Sequence, residues 1–171
     1  VTNRNNTINN TRNVLCFSDI GEAKSSQLEN SSWYIGGNIL PNNTHNSLYD
    51  NIINNSNIRN YVNASNELSG TNYKMEQGSE FEKVENARML SSNEYTFNSV
   101  LGFISLNQSL NNDEVLGVAY QYTYSGKTYQ VGELSTDGVA GQSALFLKLL
   151  KSTVINTKNK LWDLIMKNVY S

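Results

Sequence analysis

From Leu116 to Val131 apolar and polar or small positions alternate, and the pattern reverses across Ser125-Gly126. A period of two marks a half-buried strand, and a two-residue Ser-Gly loop joins two such strands into a hairpin. The turn sets the register. Tyr124 faces Lys127, Tyr122 faces Tyr129, Tyr120 faces Val131 and Val118 faces Glu133. On the other side Thr123 meets Thr128, Gln121 meets Gln130 and Ala119 meets Gly132. One face is aromatic and apolar, the other polar or small.

The same reading extends along the chain. "NVLCFSDIGE" (13–22) predicts a short buried strand ended by Gly21. Ala23 to Pro41 is irregular, with Gly36-Gly37 as a turn. Leu48, Ile52 and Ile53, then Ile58, Tyr61 and Val62, recur at helical spacing and predict helices over about 46–54 and 56–65. After Gly70 strands are expected. "EFEKV" alternates, "EYTF" and "FISL" flank a turn at Leu101-Gly102, and Glu114 to Tyr124 reads as one long strand. "ALFLKLLKSTVI" predicts a further strand, and Trp162, Ile165, Met166 and Val169 share one face of a closing helix. The expected organisation is one module over 1–171. It has an entry strand region (1–22), an Asn-rich insertion with short helices (23–72), an antiparallel β core (73–144), and a strand plus amphipathic helix (145–171). The fold class is mostly β with short helices (α+β), built as an antiparallel β-sandwich.

Three roles compete for the face carrying Tyr120, Tyr122, Tyr124, Tyr129 and Val131. Lining a sandwich core is favoured, because aromatic cross-strand pairs are ordinary sheet stabilisers. A transmembrane barrel strand would have the length of Glu114–Tyr124, but Glu133 would then face lipid and "EFEKV" is too short and charged. A carbohydrate platform needs exposed rings, which sequence does not reveal.

Composition narrows the partners. The 13 basic and 15 acidic residues are near balance, against the basic face that nucleic-acid binding requires. No apolar run reaches the ~18 residues of a membrane helix. The chain opens Val-Thr-Asn-Arg with neither a start methionine nor a signal peptide, and it stops at Ser171 inside a patterned segment, so we expect a piece of something larger. Asparagine is abundant: 28 residues, 18 of them before Glu67. Asn-x-Ser/Thr triplets begin at Asn5, Asn9, Asn30, Asn42, Asn54, Asn63 and Asn107, about as many as that composition generates by chance, so glycosylation is not inferred.

Catalytic chemistry is not expected. The single histidine, His45, lacks the cysteines or carboxylates of a zinc site and reads as a solvated loop residue. Glu80 and Glu82 are two apart, the spacing of one strand face, but Lys83 follows and such alternation is ordinarily a solvated face rather than a glycosidase pair. "STDG" (135–138) is a turn signal without calcium-loop spacing. The lone cysteine, Cys16, in "VLCF" reads as a buried thiol. Lys148, Lys151, Lys158, Lys160 and Lys167 against Asp163 form a local basic excess, read as a solvated face ahead of a lipid contact. No catalytic, cofactor or metal residue is assigned.

The segment "ARMLSSNEYTFNSVLGFISLNQSLNNDEVLGVAYQYTYSGKTYQVGEL" resembles a recurring segment of the SprA family of gliding-motility cell-surface proteins, called Sov in some lineages. "VTNR", "TRNVLCFSDIGE", "LFLKLLKS" and "NTKNKLWDLIMKNVYS" are similar to the family's flanking blocks, in the same order. Residues from about Lys24 to Gly78 carry little of it. Cys16 stands where the family usually has a plain hydrophobic residue, and Asn159-Lys160 where it tends to have a proline. The resemblance implies a module of a large outer-membrane β-barrel, the type IX secretion translocon of Bacteroidetes. It also implies a location at the outer membrane, between periplasm and cell surface. Expected partners are the rest of the same translocon chain, secreted cargo and accessory proteins of that system, with membrane contact through the parent. The family supplies no active site, no cofactor and no nucleic-acid partner. A cell-surface carbohydrate-binding module using the Tyr-rich hairpin is the alternative.

Overall fold

The computed structural model describes residues 1–2, 11–22 and 40–166. The expected Gly36-Gly37 turn and the position of Val169 lie outside them. The described chain is mostly β-sheet with a few short helices, as the sequence pattern implies.

At its centre is a four-stranded sheet. It contains β1 (Arg12–Phe17), β2 (Phe81–Ala87), β5 (Leu116–Val118) and β8 (Leu145–Lys151), in the order β2-β1-β8-β5. β1 has no polar face. Leu15 and Phe17 point to one side, Val14 and Cys16 to the other, and all four are buried. A strand apolar on both faces belongs in the middle of a sheet covered on both sides. β2 pairs with β1 antiparallel, and β8 pairs with β5 antiparallel. β1 and β8 run parallel, Val14 beside Leu145 and Cys16 beside Leu147. Both strands come from outside the 73–144 stretch of the expected antiparallel core, and their apolar runs fill the centre of the sheet together. A register shift opposite Asn13, with Asn86 at φ 50°, lets Val84 and Ala87 share one face although three residues apart.

Short helices cover the Leu15/Phe17 face. α1 (Leu48–Ile53), α2 (Ser56–Arg59) and α3 (Ala64–Ser69) bring Leu48, Ile52, Ile58, Ala64 and Leu68 against Phe81 and Phe146. Phe17 and Phe146 meet edge to face, centroids 5.6 Å apart. The helix expected over 56–65 is broken at Asn60. Its side-chain Oδ1 accepts from Val62 N, and its own carbonyl accepts from Asn63 N and Ala64 N. This local turn competes with the helix ladder, and it turns Val62 out to solvent.

Two ribbons complete the fold: β3 (Tyr95–Asn98) with β4 (Phe103–Leu106), and β6 (Tyr120–Tyr124) with β7 (Lys127–Val131). The long strand expected from Glu114 to Tyr124 is therefore two strands in two sheets, parting at Ala119. Two glycines make the parting fit. A Cβ on Gly117 would lie 2.6 Å from Cys16 Sγ, and one on Gly132, at φ 75°, would lie 3.0 Å from Ala119 Cβ. After β8, Lys160–Leu164 forms a 3-10 turn capped by Asn159, whose Oδ1 accepts from Leu161 N. Ile165 is already extended. The amphipathic α-helix expected there is absent from the described residues, and Leu161, not Trp162, is its buried apolar anchor.

Candidate functional site: the tyrosine ribbon and its buried anchor

The ribbon has the register set by its turn: Tyr120 with Val131, Tyr122 with Tyr129, Tyr124 with Lys127. Ser125 (φ 49°) and Gly126 (φ 75°) both take the left-handed conformation that a two-residue hairpin turn requires. The rings form an overlapping row. Tyr120 and Tyr122 are 6.2 Å apart, Tyr122 and Tyr129 5.3 Å, both stacked.

The face does not line the core. Tyr120 is 38% and Tyr124 58% exposed, Tyr122 and Tyr129 are half-buried, and only Val131 is fully buried. The core reading of the ribbon is corrected here. The helices and β1 already fill the apolar interior, so only the root of the ribbon reaches it. Tyr120, close to Glu22 and partly buried, has its phenol pushed up to about 12, burial being the larger cause and Glu22 the next.

The segment Pro41–Asn43 holds the ribbon's outer edge. Tyr122 OH donates to Pro41 O at 2.7 Å, Gln130 N to Asn42 Oδ1 at 3.2 Å, and Asn43 N to Gln130 O at 2.8 Å. Asn43 also grips Gly132, accepting its N–H and donating to its carbonyl. "STDG" is a turn lock: Asp137 Oδ2 accepts from Leu134 N and Gln130 Nε2.

At the root sits Glu133, 2% exposed. The two terminal guanidinium nitrogens of Arg59 donate to it, Nη1 at 2.7 Å, while Phe146 N donates at 2.8 Å and Tyr49 OH at 3.1 Å. Arg59 lies 3.9 Å over the Phe146 ring and also donates to Ala144 O. A buried carboxylate is tolerable when paired and hydrogen-bonded in this way. Burial and the neighbouring Glu133 carboxylate raise the Tyr49 phenol well above its usual value. Sequence reasoning placed Glu133 on the ribbon and missed its partner, since Arg59 lies 74 residues away. An acid on the apolar face of an alternating strand was the available signal.

The other candidate residues are separated. Glu82 Oε1 accepts from Ser152 Oγ (2.8 Å), Thr153 N (2.9 Å) and Thr153 Oγ1 (2.6 Å). Glu80 precedes β2, and its Oε2 accepts from Glu76 N. The two acids do not form a pair over open space. Cys16 is buried, and burial pushes its thiol up to about 12, so the thiolate is disfavoured. His45 is 3% exposed, not solvated, and its Nδ1 has no hydrogen-bond partner among the described residues. Of the lysines, Lys148 pairs with Glu22 at 2.6 Å, and Lys151 donates to the carbonyls of Asn111 and Asn112. No group of three or more His, Cys, Asp or Glu fit to hold a metal occurs among the described residues. No helix among them is long and apolar enough to cross a membrane. In comparison with known proteins, the chain matches no family model and no curated protein sequence.

Proposed function

We propose that the chain is a non-catalytic structural module of an outer-membrane translocon for type IX secretion and gliding motility. In this reading it is a β-sandwich-like part of a larger β-barrel protein, lying between periplasm and cell surface. Its partners are the rest of that chain, secreted cargo and accessory proteins. The ordered resemblance of its β blocks to the SprA family motivates the proposal. The observation that carries it is how the buried acids are used: Glu82 and Glu133 each accept several donors from their own fold. Buried carboxylates held by several donors of their own fold brace a scaffold.

The test is made in the full-length parent. Phe146→Ala, which empties the fully buried centre of the sheet, is expected to lower the parent's level in the outer membrane and to strand cargo in the periplasm. Normal secretion from a parent whose module has lost its fold would overturn the reading.

The exposed tyrosines favour one second reading, a carbohydrate-binding surface module. Against it, Tyr120, Tyr122 and Tyr129 turn ring faces toward one another, whereas a sugar platform offers faces outward. Oligosaccharide titration followed at the Tyr120 and Tyr124 resonances separates the two: shifts at both would favour the binding module.

A further inference from the structure

Among the described residues, the β3–β4 ribbon differs from its tyrosine-bearing counterpart in having no segment paired along its edge. Pro41–Asn43 lines the outer edge of β7, but β3 and β4 pair only with each other among the described strands. The ribbon is firmly rooted. Glu94 accepts from Arg88 at 3.0 Å and from Ser91 N at 2.9 Å, and Asn107 N donates to Glu94 O. At the tip, Asn98 Oδ1 caps Val100 N and Leu101 N.

Its surface is two-faced. In the register Tyr95–Leu106, Thr96–Ser105, Phe97–Ile104 and Asn98–Phe103, Tyr95, Phe97, Ile104 and Leu106 share one face. None of the four is buried, and Phe97 is 58% exposed. Val100, 90% exposed, extends the apolar surface at the tip. A two-stranded ribbon is marginal alone and gains from added strands. Exposed edges are ordinarily guarded by charges, proline or bulges. Here residues 95–112 contain no charged residue and no proline.

The edge chemistry is symmetric. Since Asn107 N bonds Glu94 O, alternation along an antiparallel pair places the Thr96–Ser105 couple among the hydrogen-bonded ones. The N–H and C=O groups of Tyr95 and Phe97 then point outward, to either side of Thr96. A two-fold axis at Thr96 matches Tyr95 with Phe97 of the partner subunit, and Phe97 with Tyr95 of the partner subunit. Both couples are aromatic cross-strand pairs of the stabilising kind. Only Thr96, on the axis, opposes its own counterpart, and a strand without charge meets no electrostatic repulsion in this pairing.

We propose that the β3 edge is a self-association surface, on which a second copy of this chain adds its own β3 antiparallel to form a four-stranded sheet centred on Thr96. The inference goes beyond the translocon reading and does not depend on it.

Disulfide trapping on the 171-residue chain tests it. In the proposed pairing Thr96 faces its counterpart in a non-hydrogen-bonded couple, with Cα atoms about 4.5 Å apart, inside the range a disulfide spans. Cys16, 1% exposed, leaves a quiet background. Thr96→Cys is expected to form covalent dimer about tenfold faster than Ser105→Cys on the opposite edge, as for groups held together rather than meeting by collision. Adding Phe97→Asp should abolish that excess while circular dichroism shows the fold retained. Equal rates for the two cysteines, or faster trapping at Ser105→Cys, would overturn the proposal and point to another occupant of the ribbon.

Discussion

Arg59 joins a helix to a sheet through a charge pair that water barely reaches. Removing the guanidinium leaves Glu133 buried with only Phe146 N and Tyr49 OH as donors. Breaking a buried pair from one side costs about 3–5 kcal/mol. Arg59→Ala should therefore lower stability by about that amount in urea titration, with Arg59→Met/Glu133→Gln recovering a good part of it. A loss typical of surface pairs, about 0.5 kcal/mol, would show that the clamp is solvated. The asparagines are a second lesson at this scale. Asn55, Asn60, Asn98 and Asn159 all place Oδ1 on a backbone N–H two residues on, at a turn or helix start. The bias has a structural use, since a carboxamide mimics a peptide group one turn ahead.

The tyrosine ribbon shows what was legible among the elements and what was not. A two-residue turn and a period of two fix register locally, so the pairing of Tyr122 with Tyr129 could be read directly. Exposure depends on what else competes for the core, and β1 with the helices had already filled it. Tyr122→Ala should accordingly cost about 1 kcal/mol, the scale of a stacked pair beyond its area, and not the several kcal/mol of a core ring. Calorimetry would decide, and a loss of about 3 kcal/mol or more would mean that the ring is buried after all. The parting at Ala119 was hidden because alternation runs on unbroken through it. Only Gly117 and Gly132, each set where a Cβ would collide, betray the change of sheet. The break at Asn60 was likewise masked by apolar spacing that suited a helix. The Arg59–Glu133 clamp stayed out of reach because Arg59 and Tyr49 reach Glu133 from distant segments.

Across the molecule, several groups that lose a proton in alkali share one sign. Burial raises Cys16 to about 12 and is the main cause raising Tyr120 to about 12, and Tyr49 is raised as well. A group whose folded pKa exceeds its unfolded one stabilises fully below the unfolded value and loses that contribution as pH rises through the folded value. The window opens near 9.0 for the thiol and 10.0 for the phenols. The urea midpoint should fall steadily between about pH 9 and 12, and Tyr120→Phe should remove the phenolate absorbance step near its upper end. A midpoint constant over that range would contradict the burial of these groups.

The parallel contact of β1 with β8 has a consequence in time. Lys148 reaches back to the Ser18 carbonyl across 130 residues of sequence, so the centre of the sheet cannot close until nearly the whole segment has been synthesised. Closure over so long a separation makes folding slow. Until it happens, β1 offers an apolar edge to whatever lies nearby, a chaperone included. A nascent chain cut before Leu145 lacks the strand that seals β1, and its maturation stops at that point.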